Sequence, residues 1–197
     1  MALTKQSKVL TPKQIKLVLT YLESERNSIR NKSIFLLSVK SGMRSKEIAS
    51  LQWGMLMNSQ REIGDSIHLT NTASKGKNGG RIIPINNDLK TALLNLFNSH
   101  KKSPLPTDYV VTSMRSKSVS SQTVINMFQK WYGDLGFDGC SSHSGRRTAI
   151  TQWAKRITEC GGSLRDVQLL CGHSSLQTTQ RYIEMDTEAQ RKVIEMV

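Results

Sequence analysis

Along nearly the whole chain the apolar residues recur at helical spacing, and only one stretch departs from it. Thr11-Pro-Lys-Gln14 reads as a helix start, with an N-cap Thr, Pro in the first turn and Gln at the capping-box position. Ile15, Val18, Leu19 and Leu22 follow as an apolar stripe. A second helix is expected over Ser28 to Ser41, ended by Gly42 in a left-handed conformation, and a short third one over Ser45 to Leu51. The period then changes. Ser66-Ile-His-Leu-Thr70 alternates, Arg81-Ile-Ile-Pro-Ile85 does so more loosely, and Ser74-Lys-Gly-Lys-Asn-Gly-Gly80 lies between them. This is the pattern of a β-hairpin with a basic, glycine-rich turn. Helical spacing resumes over Asp88 to His100, Ser121 to Leu135, His143 to Ile157, Ser163 to Cys171 and Leu176 to Ile183. The fold class is therefore mainly α with a small antiparallel β-sheet (α+β). The 197 residues contain no repeats, low-complexity tracts or long Pro/Gly linkers. The expected organisation is one domain over 1–197, with about 1–10 as an N-terminal extension and about 184–197 as a C-terminal tail.

Charge narrows the partner. Lys and Arg number 28 against 15 Asp and Glu, a formal net charge of +13. An excess of that size points to a polyanion, with nucleic acid the default. It is concentrated in residues 1–103, where 17 basic residues face 6 acidic ones. The tail carries Glu184, Asp186, Glu188 and Glu195 against Arg191 and Lys192, so its partner is expected to be protein. The longest apolar run, Ile34 to Leu37, is far short of the ~20 residues of a membrane span, so no membrane partner is expected. Met1 to Leu10 lacks the apolar stretch of a secretory leader, and the three cysteines show no CxxC spacing. The expectation is a reducing, cytoplasmic, nucleoid-associated protein.

Three separated segments hold residues suited to phosphoryl chemistry. The first is Gly42-Met-Arg-Ser-Lys-Glu-Ile-Ala-Ser-Leu51, with Arg44 in a turn between helices and Glu47 three residues on. The second is His143-Ser-Gly-Arg146, a His and an Arg at i and i+3. The third is Leu170-Cys-Gly-His-Ser-Ser-Leu-Gln-Thr-Thr-Gln-Arg-Tyr182. A phosphodiester under attack builds charge on its non-bridging oxygens, which two fixed guanidiniums can clamp. A phenol can be the nucleophile if cations favour its anion and a base takes its proton. Imidazoles supply proton transfer, and a Lys on the basic hairpin could reach the leaving oxygen.

These segments, in this order, resemble the tyrosine recombinase (phage-type integrase) family. Its G-(L/M)-R-x-x-E-(L/I)-x-x-L motif is matched by Gly42 to Leu51, its H-x-x-R-(H/R)-T-x-A-T box by His143 to Thr151, and its H…T-x-x-Y box at His173 and Tyr182. The order of Ala149 and Ile150 departs slightly from that second box. The resemblance covers about residues 10 to 190 and implies the tyrosine recombinase catalytic-domain fold. It also implies a site-specific recombinase that cleaves and rejoins DNA through a 3′-phosphotyrosyl intermediate, giving integration, excision or inversion. Tyr182 would attack the phosphate, Arg44 and Arg146 would hold it, and His143 and His173 would assist proton transfer. Glu47 would support Arg44. The hairpin Lys would protonate the leaving 5′ oxygen. The family's usual spacing puts that Lys eight residues before the strand-ending Pro, but Gly76 stands there before Pro84, flanked by Lys75 and Lys77. Lys75 is preferred because it follows the strand directly, and Lys77 is the alternative.

Lys75, Lys77, Arg81 and Arg147 are further expected to contact DNA. By the same resemblance the partners are double-stranded DNA at specific sites, three further copies in a tetramer on paired sites, and accessory DNA-bending proteins. No cofactor is implied, since the phosphotyrosine stores the bond energy, and no metal ligand set is assigned. Cys140, His143, Cys160, Cys171 and His173 fit no standard zinc spacing. No N-terminal core-binding or arm-binding domain is recognisable, as in the minimal fimbrial phase-variation invertases, and the acidic tail would dock on a neighbouring subunit. Two other readings use the same scaffold: a DNA-binding regulator or accessory protein with little activity, and a relaxing topoisomerase.

Overall fold

The helix starts follow local chemistry in a computed structural model that describes residues 6–70, 80–113, 116–182 and 194–195. Helix α1 (Pro12–Ser24) opens on a complete capping box: the Gln14 amide donates to Thr11 Oγ1 at 3.2 Å and the Thr11 amide to Gln14 Oε1 at 2.9 Å. It buries Val18 and Leu22, as the stripe requires. Helix α2 (Ser28–Val39) is different in kind. Ile34 to Val39 are all buried, so it has no solvent face along that stretch and must lie in the middle. It packs against α1, α3 (Ser45–Ser50), α4 (Asn87–Asn98) and α6 (Ser144–Arg156). Gly42, with φ +61°, turns the chain after α2, and a Cβ there would meet the Trp153 ring at 3.0 Å.

Strands β1 (Ser66–Leu69) and β2 (Arg81–Pro84) form a two-stranded antiparallel sheet in which Ser66 faces Pro84 and Leu69 faces Arg81. Ile67, Leu69 and Ile83 are buried in the core, and His68 and Ile82 point out, the alternation of a half-buried sheet. The hairpin turn, with Lys75 and Lys77, lies outside the described residues, as does most of the C-terminal tail. Helix α5 (Ser121–Asp134) packs on α3, and α7 (Leu164–Cys171) packs on α6, β2 and α8 (Leu176–Gln180). The main core joins α1 to α5 and the sheet. A smaller cluster of Ile150, Val167 and Cys171 sits under α6, α7 and Tyr182.

Three features go beyond the sequence expectations. Residues 6–10 lie against the α6 end of the fold: Lys8 N donates to Gly139 O at 3.0 Å and Leu10 N to Thr148 Oγ1 at 2.8 Å. A 3-10 turn at Trp53–Met55 is tied to residues 106–110 through Trp53 N to Asp108 O and Gly54 N to Pro106 O. Finally, α8 is shorter than the helix expected to Ile183, ending at Gln180.

The crossing of α2 and α6 is set by Gly145. A Cβ on this residue would sit 2.4 Å from Ser38 Oγ and 3.0 Å from Ser38 Cβ. Gly145→Ala should therefore destabilise by about 1–3 kcal/mol in urea unfolding, although alanine is the better helix former. The Ser38 hydroxyl is buried without a hydrogen-bond partner among the described residues, so adding Ser38→Ala should recover part of that loss, and Ser38→Ala alone should not destabilise.

Candidate active site

The fold brings the first turn of α3, the first turn of α6, the end of α7 and the residues after α8 to one place. Arg44 is the N-cap residue of α3, and its amide donates to Glu47 Oε2 at 2.7 Å. The Arg44 side chain donates from Nη1 to Glu47 Oε1 at 2.9 Å. Arg81, at the start of β2, meets the same carboxylate from the other side: Nη1 reaches Oε1 at 2.8 Å and Nη2 reaches Oε2 at 2.9 Å. Glu47 is only 1% exposed, so a buried carboxylate accepts from two guanidiniums and a backbone amide. Burial by itself would push its carboxyl up; the bonds and charges of Arg81 and then Arg44 outweigh that and hold it at about 2.

Arg146 stands in the first turn of α6 and is 4% exposed. Its bonds go to neutral acceptors. Nη1 donates to Gly42 O, and Nη2 donates to Cys171 O at 2.9 Å and to His173 Nε2 at 3.0 Å. Burial, reinforced by the Arg44 charge, lowers it to about 10, which leaves it charged at neutral pH. A guanidinium held inside the protein against carbonyls and an imidazole is a cation arranged for an incoming anion.

His173 follows Gly172, whose φ of +61° ends α7. Its backbone is held by Gln168: His173 N donates to Gln168 O, and Gln168 Nε2 donates to His173 O at 2.9 Å. Because Arg146 can only donate, His173 Nε2 must accept, so the ring proton sits on Nδ1 and goes to Thr179 Oγ1 at 2.9 Å. Burial first, then the charges of Arg146, Arg44 and Arg81, lower His173 to about 4, so it is neutral at pH 7. The Tyr182 ring stacks on it, with centroids 5.5 Å apart and planes 21° from parallel. Tyr182 is half-buried, its amide bonded to Thr179 O at 3.0 Å and its carbonyl facing Thr151 Oγ1 at 3.4 Å.

Arg44, Arg81, Arg165 and His173 open on a cleft of about 910 Å³. The lining holds these three guanidiniums and the carboxylate of Asp166, so the cleft favours an anion. A second cleft of about 730 Å³ beside Trp53 and His100 contains none of these residues. Among the described residues, no three His, Cys, Asp or Glu side chains come together to hold a metal.

Of the expected residues, Arg44 and Glu47 are bonded to one another, Arg146, His173 and Tyr182 form a second linked set, and Arg44 and His173 line the same cleft. His143 precedes α6 with its side chain exposed, its amide bonded to Ser141 Oγ. Lys75 and Lys77 lie outside the described residues. Arg81 and Arg147, expected to contact DNA, are turned inward or along the protein. Arg81 is engaged by Glu47 and by Leu170 O, and Arg147 Nη1 donates to Gln6 Oε1. Sequence reasoning gave no role to Thr179, Gln168 or the Cys171 carbonyl. Thr179 stood within the quoted box, three residues before Tyr182, and that spacing was the available signal.

Comparison with known proteins places this arrangement. The sequence matches the Phage integrase family over residues 8–189. It is 26% identical over 188 residues to the tyrosine recombinase XerC of Chlamydia trachomatis serovar D, covering 93% of this chain and 56% of that protein. With XerC of Shewanella amazonensis it shares 28% over 194 residues, covering 96% of this chain and 62% of the relative. The chain thus spans somewhat over half the length of the curated relatives it matches. Among solved structures, the Tn1549 transposon integrase in complex with circular intermediate DNA aligns with a TM-score of 0.73 at 18% identity, over 99% of this chain and 68% of that one. That likeness establishes the fold as one shared with an integrase. The family match runs from before α1 to beyond Tyr182 and so takes in every residue assembled at the cleft: the chain belongs to the phage integrase family.

Proposed function

We propose that this chain cleaves and rejoins DNA as the catalytic domain of a site-specific recombinase. The observation that carries the reading is the pair formed by Arg146 and Tyr182: a buried guanidinium whose bonds, among the described residues, go to neutral acceptors, joined through His173 to a stacked phenol. The DNA-bound integrase of similar fold and the net charge of +13 support DNA as the anion.

In this mechanism Arg146 and Arg44 take the non-bridging oxygens of the scissile phosphate. His173 stays neutral, holding Arg146 from behind through Nε2. The Tyr182 oxygen attacks phosphorus as its proton passes to His143, whose ring is exposed rather than tied into the network. The bond from phosphorus to the 5′ oxygen breaks, and Lys75, or Lys77 in its place, gives that oxygen a proton. The products are a 3′-phosphotyrosyl link and a 5′-hydroxyl. The reverse step, with a 5′-hydroxyl from another strand, joins new partners. Four copies on two duplexes would complete an exchange, with the acidic tail docking on a neighbour, in the cytoplasm where the DNA lies.

The direct test is a nicked suicide duplex carrying the DNA that flanks the gene. The protein should form an SDS-resistant adduct, Tyr182→Phe should form none, and Arg146→Ala or Arg44→Ala should slow its formation at least about 100-fold. DNA binding by wild type and Tyr182→Phe alike, with no adduct from either, would favour a DNA-binding regulator.

A second expectation concerns the imidazole. Long-range ¹⁵N–¹H NMR of the DNA-free protein at pH 7 should show His173 neutral and protonated on Nδ1, with protonation setting in only as the pH falls toward about 4. Thr179→Val removes the acceptor for that proton and should raise the population of the other tautomer.

A further inference from the structure

We infer that Arg81 is a positioning residue for DNA cleavage: it clamps Glu47 and the end of α7 together, and so fixes Arg44 and His173 relative to one another. The inference rests on the recombinase reading above, which assigns Arg44 and His173 their tasks.

Arg81 uses all three nitrogen positions inside the protein. Its two terminal nitrogens take both oxygens of Glu47, and Nε donates to Leu170 O at 2.9 Å. Its side chain is 9% exposed, and arginine is almost never buried unless paired. The Glu47 side of the clamp leads to Arg44, whose amide and Nη1 both bond the same carboxylate. The Leu170 side leads within three residues to His173, through Gly172. A Cβ on Gly172 would lie 3.1 Å from Arg81 Cδ and Nη1, so the α7 end is shaped to admit this side chain. On the strand side, a Cβ on Gly80 would lie 2.0 Å from Leu69 O, so the backbone entering Arg81 is set flush against β1.

A buried ion pair adds little stability over an apolar pair of similar volume, while a forked guanidinium adds fixed geometry that a lysine ammonium cannot supply. Arg81 therefore orders two segments that come from distant parts of the chain. It also has an electrostatic signature. Among the described residues, the charged and titratable groups acting on Glu47 are Arg44 on α3, Arg81 on β2, Arg146 on α6 and Cys171 on α7. Cys171 is pushed up to about 11 by burial and stays neutral. With Arg81 neutralised, burial acts on Glu47 against fewer opposing charges, and its carboxyl moves up toward the working range.

The test uses Arg81→Lys, Arg81→Met and the double variant Arg81→Met/Glu47→Gln, which replaces the buried pair by neutral groups and guards against a fold that cannot tolerate a lone carboxylate. Single-turnover cleavage is measured with the suicide duplex fully bound. Both single variants should bind DNA within about threefold of wild type and with the same salt slope, yet cleave roughly 100-fold more slowly. The retained charge of Lys should not rescue the rate. Cleavage by Arg81→Met should fall further as the pH drops below neutral, and the double variant should lose that limb. In the protein without DNA, the His173 resonances should shift in Arg81→Met but not in Leu22→Ala, which destabilises the fold from the buried face of α1, away from the site. Cleavage at the wild-type rate by a folded variant would overturn the inference. So would loss of binding in step with cleavage and a salt slope reduced by about one, which marks a phosphate contact. If wild type forms no adduct, the recombinase reading fails; the His173 resonances then judge the clamp alone, and no shift in Arg81→Met overturns it.

Discussion

Glu47 is a carboxylate taken almost wholly out of water, and the neighbouring parts of the structure are arranged around keeping it ionised. A buried charge of this kind is tolerated only when its lone pairs are filled, and here they are filled by donors from α3 and β2. The same bonds that satisfy Glu47 orient Arg44, the more exposed of the two guanidiniums on it, toward the cleft. Stability and site geometry are thus two consequences of one ionic cluster. Breaking it leaves a buried charge unpaired and an arginine without a fixed direction.

Arg146 depends on packing more than on pairing. It is delivered by α6, and α6 can approach α2 only because residue 145 has no side chain. The close crossing puts the first turn of α6 beside the turn at Gly42, whose carbonyl accepts from Arg146. Gly42 itself sits under Trp153 of the same helix, so two glycines and one indole set where the guanidinium lies. The third contributor is the α7 end, where the Cys171 carbonyl and His173 close the ring of acceptors. His173 in turn carries Tyr182 on its face. The order of dependence runs from helix packing to arginine, from arginine to imidazole tautomer, and from imidazole to phenol.

Much of the fold could be read from local chemistry. The Thr11–Gln14 and Ser163–Asp166 capping boxes involve neighbours in sequence, and both form. The alternation at 66–69 and 81–84 needs only one buried face to decide it, and the hairpin pairs as expected. The turn at Trp53 and the path of 101–113 could not be read in this way. Their amides bond to partners some fifty residues away, as Trp53 does to Asp108, and no local pattern announces such a bond. Helix α8 was overestimated: it ends at Gln180, and Tyr182 beyond it lies with its ring on His173, a tertiary contact that the apolar spacing does not announce.

The sequence by itself determined which residues were available for phosphoryl chemistry, because those residue types at those intervals have few other uses together. It also determined the mainly helical class and the place of the hairpin, since periodicity is a local property. Only the tertiary structure decided what each basic residue faces. Arg81 and Arg44 look alike in composition, yet one is closed on Glu47 and Leu170 while the other remains partly open to the cleft. Arg147, next to Arg146, bonds Gln6 at the opposite end of the chain. The direction of a charged side chain is set by desolvation and by acceptors contributed by distant segments, and those distances exist only after the chain has packed.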